Sequence, residues 1–336
     1  MKLSARRLSI LAVAPLLLVS ACGGDDDLTV EREGDLAVLD VAVLEAPSLT
    51  SFYAPIIDGE ELDKDNGLDL TFVPKSTTAL RTEVANGSAN VSAGASVLTD
   101  VALLNQQGAE TEYLFNVFDW WGTVVTPTDS DIESLGDLED QTIVGALSTT
   151  NYAMFKITAG LSGVDPTSFK ETSAEPSGLV AAAKSGREQA VQLWEPAHTV
   201  LTNGNDDFRD LDLVGELKSA MGIERIPYVG VAVQRDWLEA NEELVEPLYQ
   251  TFADAAAFVQ ENPDRAAELI SEATEIDVEA LKELLASTDR LALDVYPASE
   301  ASEELDALLD AAVEYGVLTK KPEVDDLVYG GEMGTP

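Results

Sequence analysis

Hydroxyl groups, rather than nucleophiles or metal ligands, are the chemistry that this chain repeats at intervals. Ser48, Ser76-Thr77-Thr78, Gly94-Ala95-Ser96 and Ser148-Thr149-Thr150-Asn151 each follow an apolar run and precede a helical pattern. A hydroxyl or amide at such a place caps the coming helix, and the first helical turn leaves backbone N–H groups free for the acceptor atoms of a ligand. For any one Ser or Thr, capping alone is explanation enough. Recurrence of the same small, hydroxyl-rich chemistry after successive strands points to recognition of a small molecule. Flat rings at Trp120, Trp194 and Tyr228 suit an apolar or heteroaromatic body, adding about 0.5–1.5 kcal/mol per well-formed aromatic pair. Phe118 and Trp121 fit core packing equally well.

Catalysis is poorly provided for. One histidine, His198, and one cysteine, Cys22, cannot assemble Cys/His catalysis or a His/Cys zinc site. Gly94-Ala95-Ser96-Val97-Leu98 lacks the second glycine of a Gly-x-Ser-x-Gly elbow. Among 62 acidic residues a pairing such as Asp119 with Glu195 arises by chance. His198 reads as packing on or capping a helix, with a ligand role as the alternative. No cofactor and no metal are expected.

The 336 residues are too many for one small core and comfortable for two lobes, and 45% hydrophobic content with few prolines describes a globular chain. A net charge of −42 repels phosphates and anionic headgroups, so nucleic acid is excluded as a partner. Such acidity fits life in high salt and an ordinary acidic exported protein equally. At the N-terminus, Lys2, Arg6 and Arg7 precede the apolar run Leu8–Val19, which is of signal-peptide length and too short to span a bilayer. It ends in Leu18-Val19-Ser20-Ala21-Cys22, which resembles the lipobox of bacterial lipoproteins. That resemblance implies a leader over 1–21, a lipid anchor on Cys22, an extracytoplasmic address and a charged tether over 22–35. A lone cysteine also excludes an intramolecular disulfide.

The elements that must position the hydroxyl loops alternate. Ala37–Leu44 and Leu68–Val73 read as strands, with an amphipathic stretch near Phe52–Leu62 between them. A helix over 79–85 stops at Asn86-Gly87, a short strand follows over 89–92, and a turn over 93–96 leads into a helix over 97–106. Strands follow at 112–118, 123–125 and 142–146, a helix at 152–162, another at 177–183, and strands at 190–193 and 228–233. Four helices close the chain, over 237–259, 264–270, 278–285 and 303–317. Strands alternating with helices call for a parallel α/β sheet. Thr78–Val91 and Ser177–Ala190 share a helix-Gly-strand form that sets Leu80 on Leu179 and Gly87 on Gly186, the mark of two similarly built lobes. In open α/β sheets ligands lie beyond the carboxyl ends of the strands, where these loops converge.

Phe52-Tyr53-Ala54 before Gly67-Leu68-Asp69, Leu135-Gly136-Asp137-Leu138, Trp194-Glu195-Pro196 after a strand and Asn262-Pro263 at a helix junction stand in an order that resembles the substrate-binding lipoproteins of ABC importers. The type is that of nitrate, sulfonate, taurine and thiamine-pyrimidine precursors. Asn90 and Gln189 depart from it where an acidic residue is common, as does Pro55-Ile56-Ile57-Asp58. The resemblance implies an α/β, two-lobed periplasmic-binding-protein-like (type II) fold with two crossover segments. Lobe 1 would comprise 36–124 plus 230–336 and lobe 2 would comprise 125–229. A monomer would hold a small solute at Ser48, Ser76, Thr77, Thr78, Gly94, Ser96, Trp120, Ser148, Thr149, Thr150, Asn151, Trp194, Glu195 and Tyr228, and pass it to a permease with its ATPase. Few basic groups lie near these loops (Lys75, Lys156 and Arg225), and no Arg lies within them, so a strong inorganic-anion site is not expected.

The lipobox reading makes a direct prediction. Cys22→Ser releases the protein from membranes or leaves the leader uncleaved, as read by membrane fractionation and mature mass; unchanged retention and mass would contradict it.

Overall fold

The structure is a computed structural model that describes residues 28–287, 289–291 and 293–334, so the leader and Cys22 lie outside the described residues. A two-residue strand, β1 (Arg32–Glu33), leads into β2 (Leu36–Leu44). The chain continues through α1 (Tyr53–Glu60), α2 (Leu62–Asp65), β3 (Leu68–Lys75), α3 (Thr77–Ala85) and β4 (Val91–Ser96). A π-helical segment (Val97–Ala102) runs into α4 (Leu103–Gln106), followed by β5 (Thr111–Asp119). Next come β6 (Thr123–Pro127), β7 (Thr142–Gly145), α5 (Thr150–Leu161), β8 (Lys170–Ser173), α6 (Leu179–Ser185) and β9 (Ala190–Leu193). Then follow α7 (Ala197–Thr202), β10 (Phe208–Asp212), α8 (Leu213–Met221) and β11 (Pro227–Gln234). The chain closes with α9 (Arg235–Ala240), α10 (Val245–Glu261), α11 (Pro263–Thr274), α12 (Val278–Leu285), β12 (Tyr296–Pro297) and α13 (Ser302–Glu314).

These strands form two sheets of matching construction. In the first, β2 lies between the parallel neighbours β3 and β4, and β11 and β5 continue antiparallel beyond β4. In the second, β7 lies between the parallel neighbours β8 and β9, and β6 and β10 continue antiparallel beyond β9. The wholly parallel sheet expected from strand–helix alternation is therefore corrected to two mixed sheets. The strands on which the chain enters each sheet, β6 and β11, run against the parallel set, while β5 and β10, on which it leaves, run with it. Four further differences have local causes. Residues 93–96 do not turn, because small side chains let β4 stay buried up to Ser96. The helix expected over 237–259 is interrupted at Asn241, whose buried side chain accepts from Val30 N at 2.9 Å and donates to Leu28 O and Trp237 O at 2.8 Å each. The first crossing lies at 120–122, since Thr123 already pairs in the second sheet. The second runs through α8 to Pro227, ahead of residue 230.

One face of the first sheet packs on α1, α10, α11 and α12 around Tyr53, Phe115 and Phe252. A second core is continuous between the sheets. It runs from Leu98 and Tyr113 through Val124 and Phe155 to Leu305 and Leu308 of α13. The C-terminal helix thus leaves the first sheet and packs on α5, with Tyr315 seated where Gly160 has no side chain. Val125, Leu179, Val191 and Leu193 fill a separate core on the other face of the second sheet.

Where the two crossings pass one another, one backbone bond and one side-chain bond pin them: Trp120 N donates to Ile226 O at 2.8 Å, and Ile226 N donates to Asp119 Oδ2 at 3.2 Å. Tyr296 donates its hydroxyl to Asp119 Oδ1 at 2.6 Å, and Asn116 takes the Tyr113 hydroxyl and Tyr228 N, both at 3.0 Å. Burial raises the Asp119 carboxyl above its ordinary range, while the Tyr296 hydroxyl and Ile226 N–H pull it back. Gly230 sits in this region because a Cβ there would strike the Phe115 carbonyl and the Tyr113 hydroxyl at 2.5 Å. The β5 backbone cannot retreat without breaking its ladder. Gly230→Ala should cost about 2–3 kcal/mol, the upper part of the range for overpacking, measured as a drop in urea-unfolding free energy. A loss below 0.5 kcal/mol, within the usual spread for surface changes, would show that the strand pair yields.

Candidate functional site

A cleft of about 690 Å³ opens at the carboxyl ends of β2, β3 and β4 on one side and β7, β8 and β9 on the other. From the first sheet it is lined by the loop after β2, including Ser48, by Ser76, Thr77 and Thr78 at the start of α3, and by Gly94 and Ser96 at the end of β4. From the second come Ser148, Thr149, Thr150 and Asn151 at the start of α5, together with Trp194 and Glu195 after β9. Tyr228 closes the floor beside the second crossing. Thirteen of the fourteen expected residues thus face one cleft; Trp120 alone does not line it. Trp120 is buried and donates its indole N–H to Asn151 Oδ1 at 3.0 Å, so it positions a lining residue from behind.

The lining groups divide by what already occupies them. Ser76 caps α3 by accepting from Ala79 N at 3.3 Å, and Thr149 caps α5 by accepting from Tyr152 N at 3.3 Å. Capping therefore accounts for those two side chains. Ser48 shares its hydroxyl with Thr50 at 3.1 Å, and Thr150 pairs with Thr99 across the cleft. Ser96 is different: it lines the cleft, is 2% exposed, and its Oγ has no hydrogen-bond partner. Gly94 permits the close approach of β4 and β2 here, since a Cβ would lie 3.1 Å from Leu44 N and 3.3 Å from Leu44 Cγ.

With Glu45 and Glu175, Arg81 is one of the cleft residues that the sequence reading missed. It stands three and four residues after Thr78 and Thr77, on the same helical face, and that spacing was available as a signal. Its Nε lies 2.6 Å from Asp100, and its other donors reach Thr99 Oγ1 and Ser148 O at 2.8 Å and Thr150 Oγ1 at 3.4 Å. It therefore straps the first sheet to the second. The expectation of no arginine at the loops is corrected to one arginine whose charge is already matched. Of the three bases named from sequence, Lys75 lines the cleft and bonds Glu83 at 2.8 Å. Lys156 pairs with Glu171, and Arg225 lies 4.3 Å over the Tyr296 ring, both away from the cleft.

A second strap closes the far side. Arg290, in the segment after α12, donates to Glu195 Oε1 at 3.3 Å and to Thr199 Oγ1 at 3.2 Å. Glu195, 1% exposed, also accepts from Thr199 N at 3.1 Å and contacts His198 Nδ1 at 3.2 Å. His198 Nε2 meets Asp210 at 2.9 Å, and the ring packs on Trp121 with centroids 4.9 Å apart. His198 is thus a buried strut, not a cleft group. Asp119 belongs to the Tyr296 network, so the chance pair Asp119–Glu195 forms no unit. Among the described residues no cluster of three or more His, Cys, Asp or Glu side chains could hold a metal ion, and no helix is long and apolar enough to cross a membrane.

Residues 64–266 match the sequence profile of the family described as NMT1/THI5 like. No curated protein matches the chain significantly in sequence. The fold matches the periplasmic aliphatic sulphonate binding protein SsuA of Escherichia coli with TM-score 0.71 and 14% identity over 89% of this chain and 94% of that one. It also matches the alkanesulfonate-binding protein SsuA of Xanthomonas axonopodis pv. citri bound to MOPS, with TM-score 0.70 and 16% identity over 88% and 99%. The Candida albicans CA3427 product, described as having the generic periplasmic binding protein fold, matches with TM-score 0.63 and 16% identity over 90% and 99%. The chain has that two-lobed α/β fold.

The strap at His198 makes stability depend on pH. Burial lowers the imidazole's affinity for a proton, but hydrogen bonds and charge from Asp210 and Glu195 outweigh it and raise the group from 6.5 to about 9. The protonated ring is thus favoured in the folded state. Its contribution is complete below about pH 6.5 and is lost as pH rises through 9, a window worth on the order of 3 kcal/mol. Urea unfolding from pH 6 to 10 should show this decline, and His198→Gln should flatten it. An equal slope in the variant would assign the decline to other groups.

Proposed function

The chain belongs to the NMT1/THI5-like family, and from that premise we propose that it is the extracytoplasmic solute-binding component of an ABC importer. Capture of a small organic solute between the lobes would be followed by delivery to a permease and its ATPase. Cys22 would anchor the mature chain to the membrane as a monomer. One observation carries the reading: the hydroxyl-bearing starts of α3 and α5 and the end of β4 converge from two sheets on one cleft. The two SsuA neighbours are named as sulfonate-binding proteins. The unpartnered Ser96 hydroxyl and the partly free loops suit a ligand with a few polar atoms, and Phe118, Trp194 and Tyr228 suit a flat or apolar body. Heteroaromatic precursors therefore rank above alkyl sulfonates. Nitrate ranks third, because so small an ion gains nothing from the rings.

Capture would proceed by closure of one lobe on the other about residues 120–122 and the return to β11. Arg81 and Arg290 already bridge the two sheets, so opening must break both straps. A solute favours closure only through higher affinity for the closed form. The lone histidine is committed to Glu195 and Asp210, which favours capture over catalysis.

Thermal melting against pyrimidines, sulfonates, amines and nitrate tests the reading, since ligand at 100 times its Kd adds about 2.7 kcal/mol. For a solute so found, Trp194→Ala should weaken binding by about tenfold, or 1.4 kcal/mol, and remove most of the fluorescence change while sparing the fold. Small-angle scattering should show a smaller radius of gyration with solute. An unchanged radius would reject hinge closure.

A further inference from the structure

Charges around the cleft do not balance, and the imbalance bears on what the solute carries, given that the cleft captures one. Lys75 and Arg81 are the two cations that line it, and both are committed to carboxylates, Lys75 to Glu83 and Arg81 to Asp100. Behind the cleft Arg290 and His198 are committed to Glu195. Two lining carboxylates have no such partner. Glu45 stands just after β2 and Glu175 just after β8, so they face the cleft from opposite sheets, and neither forms an ion pair or side-chain hydrogen bond with any described residue.

Acidic residues at the rim of an acidic protein are ordinary by themselves. Deeper in, however, Ser96 keeps a hydroxyl that is buried and without a partner, while its own N–H is spent on Asp100 Oδ2 at 3.0 Å. An unmade hydrogen bond of this kind is a standing cost to the empty cleft, which a ligand's polar group would recover. Phe118, Tyr228 and Trp194 line the space between, and the negative faces of such rings attract cations. A simple organic anion would meet the opposite arrangement: no uncommitted cation, and two free carboxylates at the mouth.

We infer that the solute carries a positively charged nitrogen group, as an ammonium, an amidinium or a protonated ring nitrogen, on a flat or short apolar body. Glu45 and Glu175 draw it in, the rings cover it, and Ser96 bonds one of its polar atoms. A zwitterion satisfies the same requirement, with its acidic end on the free N–H groups at the helix starts. An anion without such a nitrogen does not.

Three probes of one shape separate the possibilities: benzamidine, benzamide and benzenesulfonate, titrated by calorimetry into the full mature chain at low and high salt. Benzamidine should bind about tenfold more tightly than benzamide, with the advantage shrinking at high salt, and benzenesulfonate should give no binding. Glu45→Gln with Glu175→Gln should bring benzamidine down to the level of benzamide without changing the melting temperature. Ser96→Ala should weaken both. Failure of benzamidine to bind, tighter binding of benzenesulfonate, or an unchanged advantage in the double variant would each overturn the inference. Capture itself fails on a different result, the absence of any melting shift across the wider solute panel.

Discussion

The antiparallel pairing of β5 with β11 is the contact on which the rest of the molecule depends. These two strands are the last of the first sheet that the chain visits before the second and the first on its return. They lie side by side, so both crossings start from one rigid ladder. Gly230 brings the backbones together, Asn116 and Asp119 satisfy the N–H groups at the ladder's end, and Trp120 and Ile226 exchange the bond that holds the crossings in register. From there Trp120 reaches Asn151 in the second lobe, fixing the start of α5 opposite the start of α3. A cleft lined from two sheets exists only because that ladder sets the angle between them.

Much of this was legible in the residues, and the parts that were not share a cause. The apolar strands at Leu36–Leu44 and Ala190–Leu193 and the helix stop at Asn86-Gly87 stand where pattern places them: the first strand is an apolar run broken only by Asp40, the second is buried throughout, and Gly87 takes a positive φ past the helix end. So do the loops that line the cleft, since each follows such a strand. The sequence reading passed over β8 because all four of its residues are exposed, and β10 because Phe208-Arg209-Asp210-Leu211-Asp212 offers one fully buried side chain. Trp120 was misplaced for another reason: an aromatic beside a crossing reads alike whether it faces the ligand or braces a residue that does. Arg81 was missed because arginine was sought within the loops, whereas it stands one turn into α3 on the helical face it shares with Thr77 and Thr78.

Electrostatics in this chain work by commitment rather than abundance. With 20 basic residues against 62 acidic ones, positive charge is the scarce component. The arginines at the cleft are used to join its two sides: Arg81 joins Asp100 to the loop before α5, and Arg290 joins the end of α12 to Glu195. Removing one partner of such a buried pair leaves the other charge unpaired at a cost of several kcal/mol, so these bridges hold geometry firmly even where they add little net stability. Exposed pairs such as Lys282 with Asp264 contribute far less and are screened by salt. The interior bridges, sheltered from that screening, keep the cleft's shape the same across ionic conditions.

The placement of α13 also governs the order in which the molecule can be assembled. Residues 123–221 contain the strands of the second sheet and the helices between them, yet one face of α5 is covered by a helix that begins at Ser302, with Tyr315 filling the notch at Gly160. A nascent chain that has just completed the second lobe thus carries an uncovered apolar stripe until more than eighty further residues have been added. The two lobes cannot mature one after the other as independent units. The final native contacts of the second join segments at opposite ends of its history, a long loop closure of the kind that slows folding. Folding is therefore finished from the C-terminus, and a chain cut before Ser302 would lack the piece that seals a lobe it does not itself belong to.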